Sequence, residues 1–387
     1  MTAAGGPAAA VAPGGWPSAA RPGANMSAVV FSQFGPPEVL HRAIIATPRS
    51  GPDEALVRVA AVSVGRLLDL SARAGTHPYA RFVLPHVLGA EHSGVVAATG
   101  EAVCGLTEGQ RVAVFPAISC AQCAMCRRGR EEACGSLQLI GTHRPGAYAD
   151  YVAVPARNVH PVPAGVSPVD AAALALAGPV AQNQLTQAGF EPGMWVLVQG
   201  AASALGSTTA ALAAHRGARV LATSRSAAKR KRLAALGAEA VLDATSPSFA
   251  GDVRDLTGGH GVDVAIDDIG EPAVWAATMD ALAVGGTAVT SGAFRGGGVG
   301  LNLLRLYSAC QRVIGVRTGN PASCRALWAE VEHGFRPVVD RTFPLSAAAA
   351  AHDYLETDTN VGPGRPDQRL RPPPPALTPT GRQGDYR

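Results

Sequence analysis

The 387-residue sequence lacks any apolar run near the ~20 residues that are needed to span a bilayer. Its first 25 residues, rich in Ala, Gly and Pro, lack the basic start and apolar stretch of a secretory signal. The net charge is only +4, and the Arg-rich end of the chain accounts for most of it. Nucleic-acid-binding surfaces typically interleave basic residues with aromatic ones, and this sequence does not. We therefore predict a cytoplasmic protein with no membrane and no nucleic-acid partner.

Aromatic residues are scarce at 5% and charged residues make up 16%, whereas hydrophobic residues reach 47%. This composition predicts a globular protein, and the length is sufficient for two domains with separate cores. The two ends differ from the rest of the chain. Residues 1–25 have few core-forming side chains, and residues 363–387 are rich in Pro and Arg without periodicity. Both ends are predicted to be disordered.

The order of predicted elements divides the chain between these ends. Over 26–155, short strands alternate with Gly and Pro turns and predict a β-rich, barrel-like domain. Over 156–336, strands alternate with helices and predict an α/β fold with a doubly wound parallel sheet. A last helix is predicted over 346–355. The six strands of the parallel sheet are expected at Trp195–Gln199, Arg219–Thr223, Ala240–Leu242, Val262–Asp267, Thr287–Thr290 and Arg312–Val316.

Four of the seven cysteines stand close together, at Cys120, Cys123, Cys126 and Cys134. Zinc prefers four soft ligands in a tetrahedron, and thiolates within one loop supply them at a small cost in closure entropy. Because four protein ligands leave no open position for a substrate, we predict a structural zinc in a lobe over about 118–136. A redox dithiol and an iron–sulfur cluster are the rival interpretations. The other three cysteines stand apart and are interpreted as small hydrophobic residues.

A small-residue loop connects the first strand of the predicted parallel sheet to an Ala-rich helix. The loop consists of Gly200, Ala201, Ala202, Ser203, Ala204, Leu205 and Gly206. The order strand, loop, helix is typical of a site that binds a dinucleotide pyrophosphate at a helix N-terminus. In the G-x-G-x-x-G register only Gly206 is retained, so an ordinary turn between strand and helix is the alternative. We predict that this loop binds a dinucleotide cofactor.

The end of the next strand indicates which dinucleotide binds. NAD sites place an acid about 20 residues after the loop, where it binds the ribose 2′-hydroxyl. Ser224 stands at that position, and Arg225 and Lys229 follow it. Because two cations favour a 2′-phosphate, NADPH is predicted over NADH. The alternative is that these cations form a solvated helix face.

The order of these motifs resembles the medium-chain dehydrogenase/reductase family, which includes zinc alcohol dehydrogenases and quinone oxidoreductases. Besides the cysteines and the glycine loop, the resemblance rests on segments 29–40, 89–96 and 146–151, and it extends over about 26–361. It implies a GroES-like domain over 26–155 that carries the zinc lobe.

The family resemblance also implies the arrangement of the second half of the chain. A Rossmann domain is expected over 156–336, and residues 337–362 are expected to return to the first domain. Ser291 and Gly292 are expected near the nicotinamide. Two chains are expected to pair as a homodimer along Arg312–Val316.

One departure from the family concerns a second metal. Zinc alcohol dehydrogenases hold a catalytic zinc with a Cys, a His and a Cys or acid. The corresponding positions here are Gly65, Ala90 and Leu176, which offer no metal ligand, although Glu91 persists beside the lost His. Segment 63–69 has one extra residue, so this alignment of Gly65 is the weakest of the three.

Two further features follow from this comparison. Asp69 and His92 could form a different site, the alternative being that Asp69 caps a turn and His92 lines the cleft or the core. The family's C-terminal Gly-Lys and apolar strand are replaced by the sequence at 363–366, which predicts an open sheet edge.

The leading functional hypothesis is hydride transfer from NADPH to a quinone or to an activated C=C bond. Zinc stabilises a developing alkoxide as a Lewis acid, whereas quinones and enones delocalise the charge themselves. One alternative is a zinc-dependent alcohol dehydrogenase that acts on an alcohol/carbonyl pair. A second alternative is a non-catalytic relative that retains the cofactor-binding fold.

Overall fold

The computed structural model describes residues 8–11, 15–19, 22–78, 80–234 and 237–357. The strands, in chain order, are β1 (Ala8–Val11), β2 (Asn25–Val30), β3 (His41–Ala46), β4 (Glu54–Ser63), β5 (Glu91–Thr99), β6 (Arg111–Val114), β7 (Ala117–Ile118), β8 (Gln138–Leu139), β9 (Tyr151–Pro155), β10 (Val159–Pro161), β11 (Trp195–Val198), β12 (Arg219–Thr223), β13 (Ala240–Leu242), β14 (Val262–Ile266), β15 (Leu282–Thr290), β16 (Arg312–Gly315) and β17 (Arg341–Pro344).

The helices connect and cover these strands. In chain order they are α1 (Ser71–Arg73), α2 (Ala124–Arg127), α3 (Pro168–Leu174), α4 (Ala177–Ala188), α5 (Ala204–His215), α6 (Ala227–Leu233), α7 (Phe249–Leu256), α8 (Pro272–Ala281), α9 (Leu303–Ser308), α10 (Pro321–Glu332) and α11 (Ala348–Glu356). A π-helical turn, Arg66–Leu70, leads directly into α1. None of the helices in the described part of the chain is long and apolar enough to cross a membrane.

The first sheet has seven strands and is mostly antiparallel. Its order is β10-β6-β5-β4-β1-β17, and β9 also pairs with β4. The alternation of buried and exposed side chains is weak in its central strands, because β4 and β5 are covered on both faces. The pairing of β4 with β5 places Ser63 opposite Glu91, which brings the end of one strand beside the start of the other.

The second sheet confirms the predicted doubly wound α/β fold. Its six strands run parallel in the order β13-β12-β11-β14-β15-β16, which is the dinucleotide-binding order 3-2-1-4-5-6. The predicted strands agree with the observed ones to within one residue, except that β15 begins at Leu282 rather than Thr287. Leu282 pairs with Val262 before the register shifts between Val262 and Val264, so the extra residues join the ladder through an irregularity.

The structure corrects the predicted N-terminal disorder at one segment. Ala8–Val11 forms β1, which pairs antiparallel with β4 on one side and parallel with β17 on the other. Strand edges expose unpaired N–H and C=O groups, so an extended segment within reach gains hydrogen bonds by pairing there. The sheet edge that the altered C-terminus was predicted to leave open is therefore covered by the N-terminus. The altered C-terminal sequence from residue 358 onward, including the predicted tail, lies outside the described residues.

The return helix packs against the first sheet rather than the second. Ala351 and Leu355 of α11 belong to the same buried cluster as Phe31 and Tyr148 of the β-rich part. The hydroxyl of Tyr148 and Nε2 of His352 are 2.9 Å apart within this core. Residues from both ends of the chain thus complete the fold around β4.

Candidate functional site

The four predicted zinc ligands lie together. The Sγ atoms of Cys120, Cys123, Cys126 and Cys134 are all within 4.8 Å of one another. The separations are 3.9 Å for Cys120–Cys126 and 3.5 Å for Cys123–Cys126, close to the roughly 3.8 Å expected for sulfurs around a tetrahedral zinc. Backbone N–H groups of Gln122 and Cys123 lower the pKa of the Cys120 thiol to about 6, which favours the thiolate that a metal binds. The cysteines therefore fit a structural zinc.

The cysteine lobe, residues 118–136, contacts the dinucleotide-binding half of the chain. The amide of Asn320, the N-cap of α10, donates to the buried Glu132 at 3.0 Å. Arg317 donates to the carbonyl oxygen of Cys134 at 3.2 Å. Leu176, one of the three vacated ligand positions, packs against the apolar cluster of the lobe. The lobe thus lies where the two halves of the molecule meet.

The glycine loop has the geometry of a phosphate-binding turn. Gly200 has a φ of +61°, and its N–H donates to the hydroxyl of Thr223 at 3.0 Å. Ser203 is the N-cap of α5, and its Oγ accepts from the N–H of Gly206. A Cβ on Gly206 would lie 2.5 Å from the carbonyl oxygen of Gly200, so only glycine allows helix and loop to approach this closely. The first turn of α5 presents backbone N–H groups to a pyrophosphate.

The other predicted loop residues differ in burial. Ala201 and Ala202 are buried, whereas Ser203, Ala204 and Leu205 are partly exposed at the start of α5. Small side chains at the buried positions let the loop fold back onto β12, where the N–H of Ala201 bonds Thr223. The backbone at the helix start is therefore accessible to a ligand although the first two glycines of the motif are absent.

The basic residues after β12 do not share one role. Arg225 is exposed, and Lys229 is buried with its backbone N–H capped by Ser226. Arg230 donates to the carbonyl oxygens of Ser224 and Arg225 and pairs with Asp243. Because β11 and β12 are adjacent parallel strands, Ser224 lies beside the glycine loop. Arg225 is thus the exposed cation of this turn.

A buried polar network at the ends of β14 and β15 was not predicted from the sequence. The side-chain NH2 of Gln184 donates to Asp268 at 2.9 Å and to Ser291 at 3.0 Å. The hydroxyl of Thr209 donates to the side-chain oxygen of Gln184 at 2.8 Å. The N–H of Ser291 also donates to Asp268 at 2.6 Å. Burial raises the pKa of Asp268 to about 6. Ser291 is fixed by this network, and Gly292 lies against the Asp268 backbone.

Asp268 could have been identified from its sequence. It is a second acid immediately after a buried strand, and polar residues at the carboxyl ends of parallel strands commonly line ligand sites. Gln184 gave no such signal, because the same helix also carries Gln182, Asn183 and Gln187 and the sequence does not distinguish among these amides.

The three positions that supply the catalytic-zinc ligands in the family lie close together, and none has a metal-binding side chain here. A Cβ on Gly65 would lie 3.3 Å from Oε1 of Glu91 and 3.5 Å from Oδ2 of Asp69. The backbone N–H of Ala177, which follows Leu176, is near enough to Glu91 to lower its pKa. The one-residue expansion in segment 63–69 is absorbed by the π-helical turn, in which the N–H of Leu70 reaches the carbonyl oxygen of Gly65.

Two buried acids, Asp69 and Glu91, occupy this place, and we refer to them as the carboxyl pair. Asp69 is fully buried and accepts from the N–H of Gly65 at 2.8 Å and of Gly89 at 3.1 Å. Burial raises the pKa of Asp69 to about 7 against the effect of these donors. Burial and the nearby charge of Asp69 raise the pKa of Glu91 to about 8.

His92 does not join the carboxyl pair. Its Nδ1 lies 2.9 Å from the carbonyl oxygen of Ala90, and its ring is completely buried. Burial lowers its pKa to about 4, so the ring is neutral at physiological pH. The interpretation of Asp69 as a turn cap and His92 as a core residue therefore agrees with the geometry, and a new site made by these two side chains does not.

The donors at the carboxyl pair do not fit a catalytic zinc. Gly65, Ala90 and Leu176 offer neither thiolate nor imidazole, and both oxygens of Asp69 accept backbone hydrogen bonds. Among the described residues, the four cysteines are the one group of three or more His, Cys, Asp or Glu side chains with ligand atoms close enough for a metal. The family's catalytic metal thus has no complete ligand set in the described part of this chain.

Fold and site together define a two-part oxidoreductase with a nicotinamide dinucleotide site and a cysteine lobe. The alcohol dehydrogenase GroES-like domain matches residues 51–164, and the zinc-binding dehydrogenase domain matches residues 204–333. An NAD-dependent alcohol dehydrogenase of Sulfolobus acidocaldarius is 30% identical over 337 residues, which cover 86% of this chain and 96% of that protein. The chain belongs to the medium-chain dehydrogenase/reductase family.

Solved structures agree with this assignment. The crystal structure of an NAD-dependent alcohol dehydrogenase has a TM-score of 0.79 and 35% identity, and covers 87% of this chain and 98% of its own. A mycobacterial quinone oxidoreductase has a TM-score of 0.72 and 29% identity, with the same coverage. These relatives confirm the family resemblance and the oxidoreductase class. They favour the alcohol/carbonyl alternative over the leading quinone and enone hypothesis, and the predicted preference for NADPH is not confirmed by them.

Proposed function

We propose that this chain transfers hydride between a nicotinamide cofactor and a small alcohol/carbonyl pair. The observation that carries the proposal is the position of α4, which joins the two halves of the site. Its first N–H, that of Ala177, lies near Glu91, and its Gln184 donates to Ser291 and Asp268. Seven residues of α-helix separate these points by about 10 Å along the helix axis, so α4 relates the cofactor side of the site to the carboxyl pair. The alcohol dehydrogenases among the relatives support the same substrate class.

The cofactor supplies or accepts the hydride, and the residues of this chain bind and orient it. The proposed contacts are the first turn of α5 for the pyrophosphate, the end of β12 for the ribose, and Ser291 with Gly292 for the nicotinamide. We propose NADPH as the preferred form, because Ser224 stands where an NAD site would carry an acid and the exposed Arg225 follows it.

A substrate panel tests the reaction. The purified protein would be assayed with NADPH and NADH against alcohols, aldehydes, ketones, quinones and enones. We expect turnover with members of the alcohol/carbonyl class. Cofactor binding without turnover of any acceptor would contradict the proposal and indicate a non-catalytic relative.

Quinones and enones are the second candidate substrates. The observation that favours them is the loss of all three catalytic-zinc ligands at Gly65, Ala90 and Leu176, since these acceptors stabilise the charge that zinc would otherwise stabilise. Turnover confined to quinones and enones in the same panel would select this candidate.

We propose one zinc per chain, bound by the four cysteines and structural in role. Metal analysis of chelator-washed protein is expected to give a ratio near one. A ratio near two would show that a second zinc binds through ligands other than those at the family positions.

We also propose a homodimer formed along β16, in the cytoplasm. This edge strand and its surroundings expose apolar side chains, including Val284, Leu303, Leu304, Tyr307 and Val313. Such a surface is unusual for an isolated chain and typical of an interface. Light scattering is expected to give twice the chain mass, and Val313→Glu is expected to shift the mass to that of one chain.

A further inference from the structure

The function proposed above assigns no chemical step to the carboxyl pair, and the geometry of the pair suggests one. We infer that Glu91 donates the proton to the substrate oxygen during carbonyl reduction, and that Asp69 is the positioning residue that keeps this proton on Glu91. The inference rests on the proposed alcohol/carbonyl function and names the group that replaces the missing Lewis acid.

The first argument is the shape around Gly65. Leaving out the two chain neighbours, the atoms of the described residues within 4 Å of a Cβ placed there are Oε1 of Glu91 and Oδ2 of Asp69. Carboxyl oxygens therefore border the space that the first side-chain atom of residue 65 would take. A substrate oxygen in this space would contact Glu91 directly.

The second argument is the unequal hydrogen bonding of the two acids. Each oxygen of Asp69 accepts a backbone N–H, from Gly65 and from Gly89, and such donors favour the charged form. Glu91 has one backbone donor, Ala177, and lies within reach of the charge on Asp69. Two neighbouring buried carboxyls cannot both ionise at low cost, so the proton stays on Glu91. Burial and this charge hold the pKa of Glu91 near 8, which keeps it protonated at neutral pH.

The other charged groups near the carboxyl pair do not move the proton from Glu91 to Asp69. The helical turn that carries Asp69 also carries Arg66 and continues to the buried Arg73, which pairs with Glu356. Tyr148 faces both acids, and burial raises its pKa so that it is neutral. His92 on β5 is neutral, and the first turn of α4 contributes only the Ala177 N–H. Between the pKa of about 7 for Asp69 and the pKa of about 8 for Glu91, the carboxyl pair therefore holds one proton, which stays on Glu91.

The chemistry balances without a further reactant. A bound reduced nicotinamide would supply hydride to the carbonyl carbon and become oxidised, and the carbonyl π electrons would move to oxygen. The oxygen takes the proton from the Glu91 carboxyl, which gives the alcohol, oxidised nicotinamide and the Glu91 carboxylate. Solvent returns the proton to Glu91. Alcohol oxidation is the reverse, with Glu91 as the base.

Glu91→Gln tests the donor directly, because glutamine keeps the shape and cannot donate the acidic proton. We expect its kcat for carbonyl reduction to fall about 100-fold, the usual effect of losing a general acid, with cofactor affinity retained. The wild-type rate should fall as the pH rises through about 8, and this alkaline limb should be absent in Glu91→Gln. Glu91→Asp should recover part of the rate. Glu101→Gln, an exposed acid just beyond the same strand, is the matched control and should be unchanged.

Asp69→Asn tests the positioning role. Removing the charge beside Glu91 lowers the cost of ionising it, so the alkaline limb should move to lower pH. An unchanged limb in Asp69→Asn would overturn the role of Asp69.

A measurement on the cofactor-free protein tests the protonation itself. A carboxyl with a raised pKa binds its proton more tightly in the folded state than in the unfolded state. Its contribution to stability is fully present below the unfolded pKa near 4.5 and is lost as the pH rises through the folded value of about 8. The free energy of unfolding of wild-type protein should therefore fall from pH 5 to pH 9 relative to that of Glu91→Gln.

The outcomes separate this inference from the proposed function. Absence of carbonyl turnover by the wild-type protein would overturn the proposed function before any variant is compared. Wild-type turnover with an equal rate and alkaline limb in Glu91→Gln would overturn the donor role alone. A difference in unfolding free energy that does not change with pH would overturn the protonated state of Glu91.

Discussion

The cysteine lobe and the carboxyl pair lie at the two zinc positions of the family. Among the described residues, the lobe has a complete set of metal ligands and the carboxyl pair does not. In the lobe, the ligands come from one short loop, and all four Sγ atoms lie within 4.8 Å of one another. At the carboxyl pair, the converging positions come from three separate elements, and Gly65, Ala90 and Leu176 supply no ligand. Two acids held by backbone N–H groups occupy that place instead.

The comparison shows that the two sites depend on different parts of the molecule. The lobe is local in sequence, so its ligand set can be complete whatever the distant residues are. The carboxyl pair depends on β4, β5 and the start of α4 together, so its chemistry changes when any one of them changes. A change at the carboxyl pair therefore need not alter the ligand set of the cysteine lobe.

The largest expected effect is at the lobe. Cys134 is fully buried, and Cys134→Ser should remove one of the four ligands. We expect loss of bound zinc and a decrease in the free energy of unfolding of more than about 4 kcal/mol, because large losses of this size follow from losing a metal site. Metal analysis and denaturant unfolding measure both effects.

The exposed Cys104 provides the control for this variant. Cys104→Ser should retain both zinc and stability. Full zinc content in Cys134→Ser would show that the lobe does not need its fourth thiolate, and would remove the contrast with the carboxyl pair.

The second effect concerns the support of the carboxyl pair. β1 pairs with residues 61–63 of β4, directly before Gly65, and β17 joins the sheet through β1. Removing residues 2–14 should cost several ladder hydrogen bonds at about 0.5–1.5 kcal/mol each, or roughly 2–4 kcal/mol in total. Denaturant unfolding measures the loss. Removal of residues 2–6 alone is the control, and equal stability of the two truncated proteins would show that β1 does not support the sheet.

The smallest effect concerns the cofactor side of the carboxyl pair. Arg225→Ala should raise the KM for NADPH about tenfold, as expected for one lost charge-assisted hydrogen bond to a 2′-phosphate, and should leave the KM for NADH unchanged. Lys231→Ala, an exposed cation on α6, is the control. Equal changes for both cofactors would show that Arg225 does not contact the 2′-phosphate.

Much of the fold could be predicted because its signals are local. Strands β12 and β13 were predicted at their observed bounds, since short apolar runs that alternate with helical segments are typical of a parallel sheet. The start of β15 was missed because Leu282 joins the ladder only through pairing with Val262. β1 was missed because an Ala-rich segment has no strand signal of its own and pairs only where an edge is open.

The candidate site likewise has parts that local sequence predicts and parts that depend on distant contacts. The sequence alone determined the cysteine lobe and the position of the glycine loop, because spacing within one loop or one strand–helix turn decides what those residues can bind. Only the tertiary structure decided that Gln184 fixes Asp268 and Ser291, which lie 84 and 107 residues away. It also decided that Asp69 and Glu91 share one buried space. Protonation depends on burial and on neighbouring charge, and both are set by how distant elements pack rather than by the order of residues in the chain.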